Sequence, residues 1–98
     1  MSRFGLHILP DAESDIREAF LWYHERSPIA AYAFRTELFT AIDQLATDAL
    51  IWPQDKDAIR SYILRHFPYK VFYEVQKDVV TVLAVAHHRR KPRYWKER

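Results

Sequence analysis

The run Val79–His87 constrains this chain more than any other segment. Val79, Leu83 and Val85 are apolar on one parity, and Val80, Val82 and Ala84 on the other. Successive side chains of a strand point to opposite faces. A strand apolar on both faces is central in its sheet. The segments around it read as further strands. Arg60–His66 is followed by a Phe67-Pro68 turn, then Tyr69–Val75, then a Lys77-Asp78 turn. In Tyr69–Val75, the set Tyr69, Val71, Tyr73 and Val75 faces one way, and Lys70, Phe72 and Glu74 the other. Near the N-terminus, Phe4, Leu6 and Ile8 alternate with Gly5, His7 and Leu9 as a first strand.

Between the first strand and the last three, the apolar period changes from two to that of a helix. Asp11 is a suitable N-cap after Pro10, and Glu13 and Asp15 suit the positive end of a helix dipole. Ala12, Ile16, Ala19, Phe20 and Tyr23 form one helical face. Ser27-Pro28 then supplies a capping hydroxyl and a proline for the first helical position. Ala31, Phe34, Leu38, Ala41, Ile42 and Leu45 form a second stripe. A connection this short predicts an antiparallel helical hairpin. Residues 47–58 read as a loop, pinned to the core by Leu50, Ile51 and Trp52. Trp22, Phe34, Phe39 and Phe67 are expected in the core or at an interface. The expected architecture is α+β in the order β-α-α-β-β-β: a small, twisted, mostly antiparallel sheet with the hairpin on one face.

At 98 residues the chain is expected to form a single domain, 1–98, around one compact core. The absence of cysteine excludes a disulfide framework, a thiolate metal site and a cysteine nucleophile. One glycine, Gly5, excludes a Gly-rich phosphate loop. No apolar run approaches the ~20 residues of a membrane span. Met1-Ser2-Arg3 opens no apolar h-region, so no signal peptide is expected. Charge is unevenly placed. Residues 87–98 carry six basic side chains against Glu97, while residues 1–86 carry nine basic and twelve acidic ones. An acidic body with a basic end favours phosphates or acidic protein surfaces as partners.

No metal site is expected, because the adjacent His87 and His88 point to opposite faces at a strand end. No serine sits in a strand-turn-helix elbow. Phosphodiester chemistry without a metal is a further candidate. It needs cations on the phosphate, a base and an acid. Arg60, Arg65, Lys70, Arg89 and Arg90 are candidate cations, and His87, His88 and Tyr94 are candidate acid–base groups. Several have a structural reading as well. His87 can cap a strand by hydrogen bonding, Arg65 and Lys70 can be ordinary open-face charges, and Trp95 and Tyr94 can pack the last turn.

The element order, the helix start Asp11–Ile16, the hairpin segment Arg65–Val75 and the closing run Val82–Trp95 together resemble the RelE/ParE superfamily. These are toxins of bacterial type II toxin–antitoxin modules, including plasmid-stabilisation modules. The resemblance covers essentially the whole chain. It implies a cytoplasmic growth inhibitor held in a hetero-oligomer by a cognate antitoxin protein. It implies two targets. RelE-like members cut mRNA in the ribosome as metal-independent endoribonucleases, whereas ParE-like members block DNA gyrase without hydrolysis. A degenerate member that only binds its antitoxin is a third reading. Lys70 and His88 stand where the RelE pattern has catalytic arginines, and Tyr94 matches its C-terminal tyrosine. The lysine-rich segment of that pattern is replaced by the acidic Pro53–Asp57. In the nuclease reading Lys70, His87, His88 and Tyr94 are catalytic, and Arg65, Arg89, Arg90 and Arg93 hold the substrate.

Overall fold

The structure, a computed structural model, describes residues 3–89. Its elements are β1 (Gly5–Ile8), α1 (Pro10–Arg26), α2 (Pro28–Asp48), β2 (Ile59–Ile63), β3 (Tyr69–Gln76) and β4 (Val79–His87). The α+β class and the β-α-α-β-β-β order are those read from the sequence.

Local chemistry sets the element ends. Proline has no N–H to lose at the first helical position and its φ is already helical, so Pro10 and Pro28 both start helices. The N-cap of α1 is Leu9, with no side-chain cap, and not Asp11. Because Pro10 is itself the first helical residue, Asp11 falls inside the first turn, where it and Glu13 complement the dipole. Ser27 does cap α2, its Oγ accepting from the Ala30 N–H at 3.2 Å. The loop expected from residue 47 begins later, because α2 runs on to Asp48. The strand expected over Arg60–His66 is Ile59–Ile63. Glu37 draws the backbone of Arg65 and His66 away into a turn. Leu50 and Ile51 do not pin the loop; they are 46% and 68% exposed. Ala49 and Trp52 hold it instead. Ala49 is fully buried and its carbonyl accepts the buried Tyr73 hydroxyl at 2.7 Å. The Trp52 ring lies 4.8 Å from that of Tyr62. Trp22 and Phe39 are likewise partly exposed rather than core.

The sheet order is β1-β4-β3-β2. β4 is central: β1 lies parallel to it on one side, and β3 antiparallel on the other. The β3–β4 ladder contains a bulge. Phe72 pairs with Ala84 and Tyr73 with Val82, which makes Leu83 the extra residue of the bulge. The extra residue switches the parity of β4. Val80 and Val82 before the bulge, and Val85 after it, therefore share the face that packs on the helices, with Val71 and Tyr73 of β3. Ala84 and Ala86 share the other face with Phe72 and Lys70. The double apolar parity of this strand thus has two causes: its central position, and a one-residue offset that moves the inward set from even to odd positions.

The helical hairpin covers the inward face. Phe34, Leu38 and Leu45 of α2 are fully buried against Val71, Tyr73, Val80 and Val82. An aromatic cluster joins the hairpin to the sheet at one end. The Phe34 ring is 5.3 Å from Tyr23, 5.5 Å from Phe67 and 5.2 Å from Tyr69.

Candidate functional site

β1 ends at the pair Ile8–Val82, so the last residues of β4 have no strand on that side. α1 takes its place, and Asp15 Oδ2 accepts the Val85 N–H at 3.0 Å. Between α1 and this end of β4 lies a cleft of about 600 Å³, lined by Asp15, Glu18, Trp22, Tyr23, Tyr69, His87 and Arg89 among others. A smaller hollow of about 370 Å³ follows the outer helix seam past Ile16, Phe20 and Phe39, with Glu13, Arg17 and Arg35 on it. None of the site residues expected from sequence lines that second hollow.

His87 is the best-defined polar group of the cleft. It pairs with Tyr69 across the ladder, and their rings meet near-perpendicular at 5.1 Å. Its Nδ1 accepts the Arg89 N–H at 3.0 Å, which requires Nδ1 to be unprotonated and leaves the proton of the neutral ring on Nε2. Partial burial, then the charges of Arg89 and His88, pull its pKa below the ordinary 6.5. An NMR titration should therefore find the His87 ring neutral at pH 7, as the Nε2–H tautomer, with a midpoint below 6.5. A midpoint above that value would show that the Arg89 contact does not persist. The unfolded chain takes up this proton first. His87 therefore lowers stability as pH falls below about 6.5, until its folded pKa is passed.

The other expected site residues are dispersed. Lys70 pairs with Ile63 and Ala86, and so lies on the open face, opposite to the helix face that carries Tyr69 and His87. Lys70 and His87 are thus separated by the thickness of the sheet. His88 and Arg89 are exposed just past β4, where the His88 N–H meets the Pro68 carbonyl at 2.8 Å. Arg60 is turned back on the loop, donating to the carbonyls of Leu50 and Trp52. Arg65 stands exposed in the β2–β3 turn. Arg90, Arg93 and Tyr94 lie outside the described residues, as does Trp95.

Glu37 anchors that turn and was not singled out by sequence. Its Oε2 accepts the N–H groups of Arg65 at 2.7 Å and His66 at 3.1 Å, and its Oε1 meets His66 Nδ1 at 2.7 Å. Partial burial pushes the carboxyl up. The His66 and Arg65 backbone donors and the His66 ring outweigh this and hold it below the ordinary 4.5. A depressed carboxylate adds stability that is present above the unfolded pKa and lost as pH falls through the folded one. Acid unfolding should thus begin near pH 4.5 with Glu37 contributing, and Glu37→Ala should flatten that limb. At pH 7 the same variant should cost about 1–3 kcal/mol, measured by urea denaturation, because charge-assisted bonds are lost. An unchanged acid limb would remove this role.

Sequence reasoning also missed Asp15, Glu18, Trp22 and Tyr23 as cleft residues. Their only sequence signal is helical spacing on α1, which does not report what the outer turn faces. Among the described residues, no three His, Asp or Glu side chains gather as a metal site, and no helix is long and apolar enough to cross a membrane.

Comparison with known proteins bears on this arrangement. No curated protein matches the sequence. A solved structure described as the chromosomal ParDE TA system from P. aeruginosa is similar in fold. Its TM-score is 0.77 at 16% identity, over 87% of this chain and 96% of the other. Residues 6–92 match the family described as ParE toxin of type II toxin-antitoxin system, parDE. A β-α-α-β-β-β chain of this topology, matched over nearly its whole length, belongs to the ParE toxin family of type II toxin–antitoxin systems.

Proposed function

We propose that this chain is a toxin that stops growth by gripping a protein target, DNA gyrase in the reading its family favours, without cutting nucleic acid. A cognate antitoxin holds it inactive. One observation carries this choice over cleavage: Lys70 and His87 face opposite sides of the sheet. A metal-independent nuclease needs its phosphate-holding cation and its base at one phosphate. The surroundings of His87 point the same way. It shares its cleft with Asp15 and Glu18, which repel a phosphate, against one described cation, Arg89. That cleft also offers Trp22, Tyr23 and Tyr69, the residue types enriched at protein interfaces.

The test pairs two assays on purified protein. Gyrase supercoiling should be inhibited, and mRNA on translating ribosomes should stay intact. In cells, toxicity should survive His87→Ala, His88→Ala and Tyr94→Phe, and should be lost on antitoxin co-expression. Codon-proximal mRNA cuts that vanish with His88→Ala or Tyr94→Phe would overturn the reading in favour of the nuclease.

A further inference from the structure

We infer that two copies of this chain associate through the free edge of β1, antiparallel about a two-fold axis at His7, so that their sheets join into one. The backbone of β1 makes this possible. The N–H groups of Gly5 and Leu9 point to β4, donating to the carbonyls of Asp78 at 2.6 Å and Val82 at 3.0 Å. Backbone groups alternate sides along a paired strand, so Leu6 and Ile8 turn their N–H and C=O groups away from β4. No hydrogen bond reaches those four groups from the described residues. Gly5, Leu6 and His7 are exposed.

The other edge of the sheet is closed. The segment at Gln54 bridges to Arg60 of β2. Beside it the Asp55 N–H reaches the Ile59 carbonyl at 2.8 Å, and Asp55 Oδ1 accepts the Ile59 N–H at 3.1 Å. Edge strands are commonly blunted by lysine, proline, a bulge or a covering segment. β1, with the sequence Gly-Leu-His-Ile, has none of these among the described residues.

Three features select a second copy as the occupant. Pairing about His7 sets Leu6 of each copy opposite Ile8 of the other, so the free groups of both strands meet in four hydrogen bonds. The axis is perpendicular to the joined sheet, so both helical hairpins stay on one side of it. On that side Leu6, 39% exposed, covers Ile8 of the other copy, which lines the apolar hollow of about 370 Å³ along the helix seam. The ends of the strand also differ in charge. Arg3 precedes β1, and Asp11 and Glu13 occupy the first turn of α1 after it. The two-fold brings each Arg3 toward the acidic turn of the other copy, and a self-complementary contact makes this match twice. An unrelated extended segment could share the hydrogen bonds but not the leucine or the charge order. No residue of β1 lines the cleft that holds His87, so this association is independent of the target protein.

An interface of one short strand pair is small. Analytical ultracentrifugation of the full-length chain over about 1–300 µM should therefore show a monomer–dimer equilibrium with a dissociation constant of roughly 1–100 µM. His7→Lys sets like charges opposite each other at the axis and should weaken the dimer by about tenfold or more. Leu6→Pro removes an edge donor and the covering side chain while sparing the β4 ladder, and should do the same. Arg3→Glu should weaken it by about threefold to tenfold, whereas Lys56→Glu, the same change of net charge placed before β2, should stay within about twofold. Circular-dichroism melts report whether a variant has lost its fold. In the parent chain, amide exchange at Leu6 and Ile8 should slow as concentration rises, a readout that needs no substitution. A monomer throughout that range, a dimer unmoved by both His7→Lys and Leu6→Pro, equal loss from Arg3→Glu and Lys56→Glu, or exchange at Leu6 and Ile8 that ignores concentration would each overturn the inference.

Discussion

Val82→Asp leaves no folded protein. Val82 is fully buried in the central strand, level with Ile8 of β1 and Tyr73 of β3. No cation lies among the buried residues that form this core. An unpaired carboxylate there costs several kcal/mol even after its pKa rises to neutralise it. A domain of this size has a total stability of about 5–15 kcal/mol. The expected outcome is an insoluble product or, in the soluble fraction, a flat thermal melt with no cooperative transition. A cooperative melt within a few degrees of the parent would mean that β4 is not buried between β1 and β3.

Phe34→Ala ranks next. The ring is fully buried and touches Tyr23, Phe67 and Tyr69, which tie α1, the β2–β3 turn and β3 together. Its removal takes away transfer free energy and leaves a cavity that three other rings hold open. Deletions of this kind cost about 3–5 kcal/mol. For a chain near 100 residues each kcal/mol is worth roughly 4–8 °C in Tm, so a fall of at least about 12 °C is expected by calorimetry. Tyr69 also supports His87, so the same variant should raise the His87 midpoint toward its ordinary value. A small Tm change would show that the hairpin is held mainly by the Leu38–Leu45 stripe.

The elements were legible because local chemistry and packing agree. Ser27-Pro28 is a helix junction in the sequence and in the structure, and the Val79–His87 strand is bounded as its turns suggest. The errors fall where a distant side chain decides. Glu37, nearly thirty residues away, ends β2 early by taking the N–H groups of Arg65 and His66. Ala49, in the turn just past α2, is buried where its carbonyl takes the Tyr73 hydroxyl. The candidate site was less legible still. Strand alternation tells that Lys70 and Tyr69 oppose each other, but which of them shares a face with His87 depends on pairing register, and the sequence is silent on where a bulge falls. The cleft itself exists because β1 is four residues long and β4 is nine, a mismatch that only topology turns into an opening.

The extra residue of the β4 bulge, Leu83, carries a consequence for how this fold tolerates changes of length. Removing that one codon would let Val82 be followed directly by Ala84, restoring a regular ladder in which Val85 and His87 keep their present orientation. Adding a codon between Ala84 and Val85 has the reverse result, rotating the imidazole out to the side of Lys70 and turning Ala86 in place of Val85 beneath the hairpin. Homologous chains one residue shorter at this point are therefore expected to align in three dimensions without a gap in their inward-facing positions.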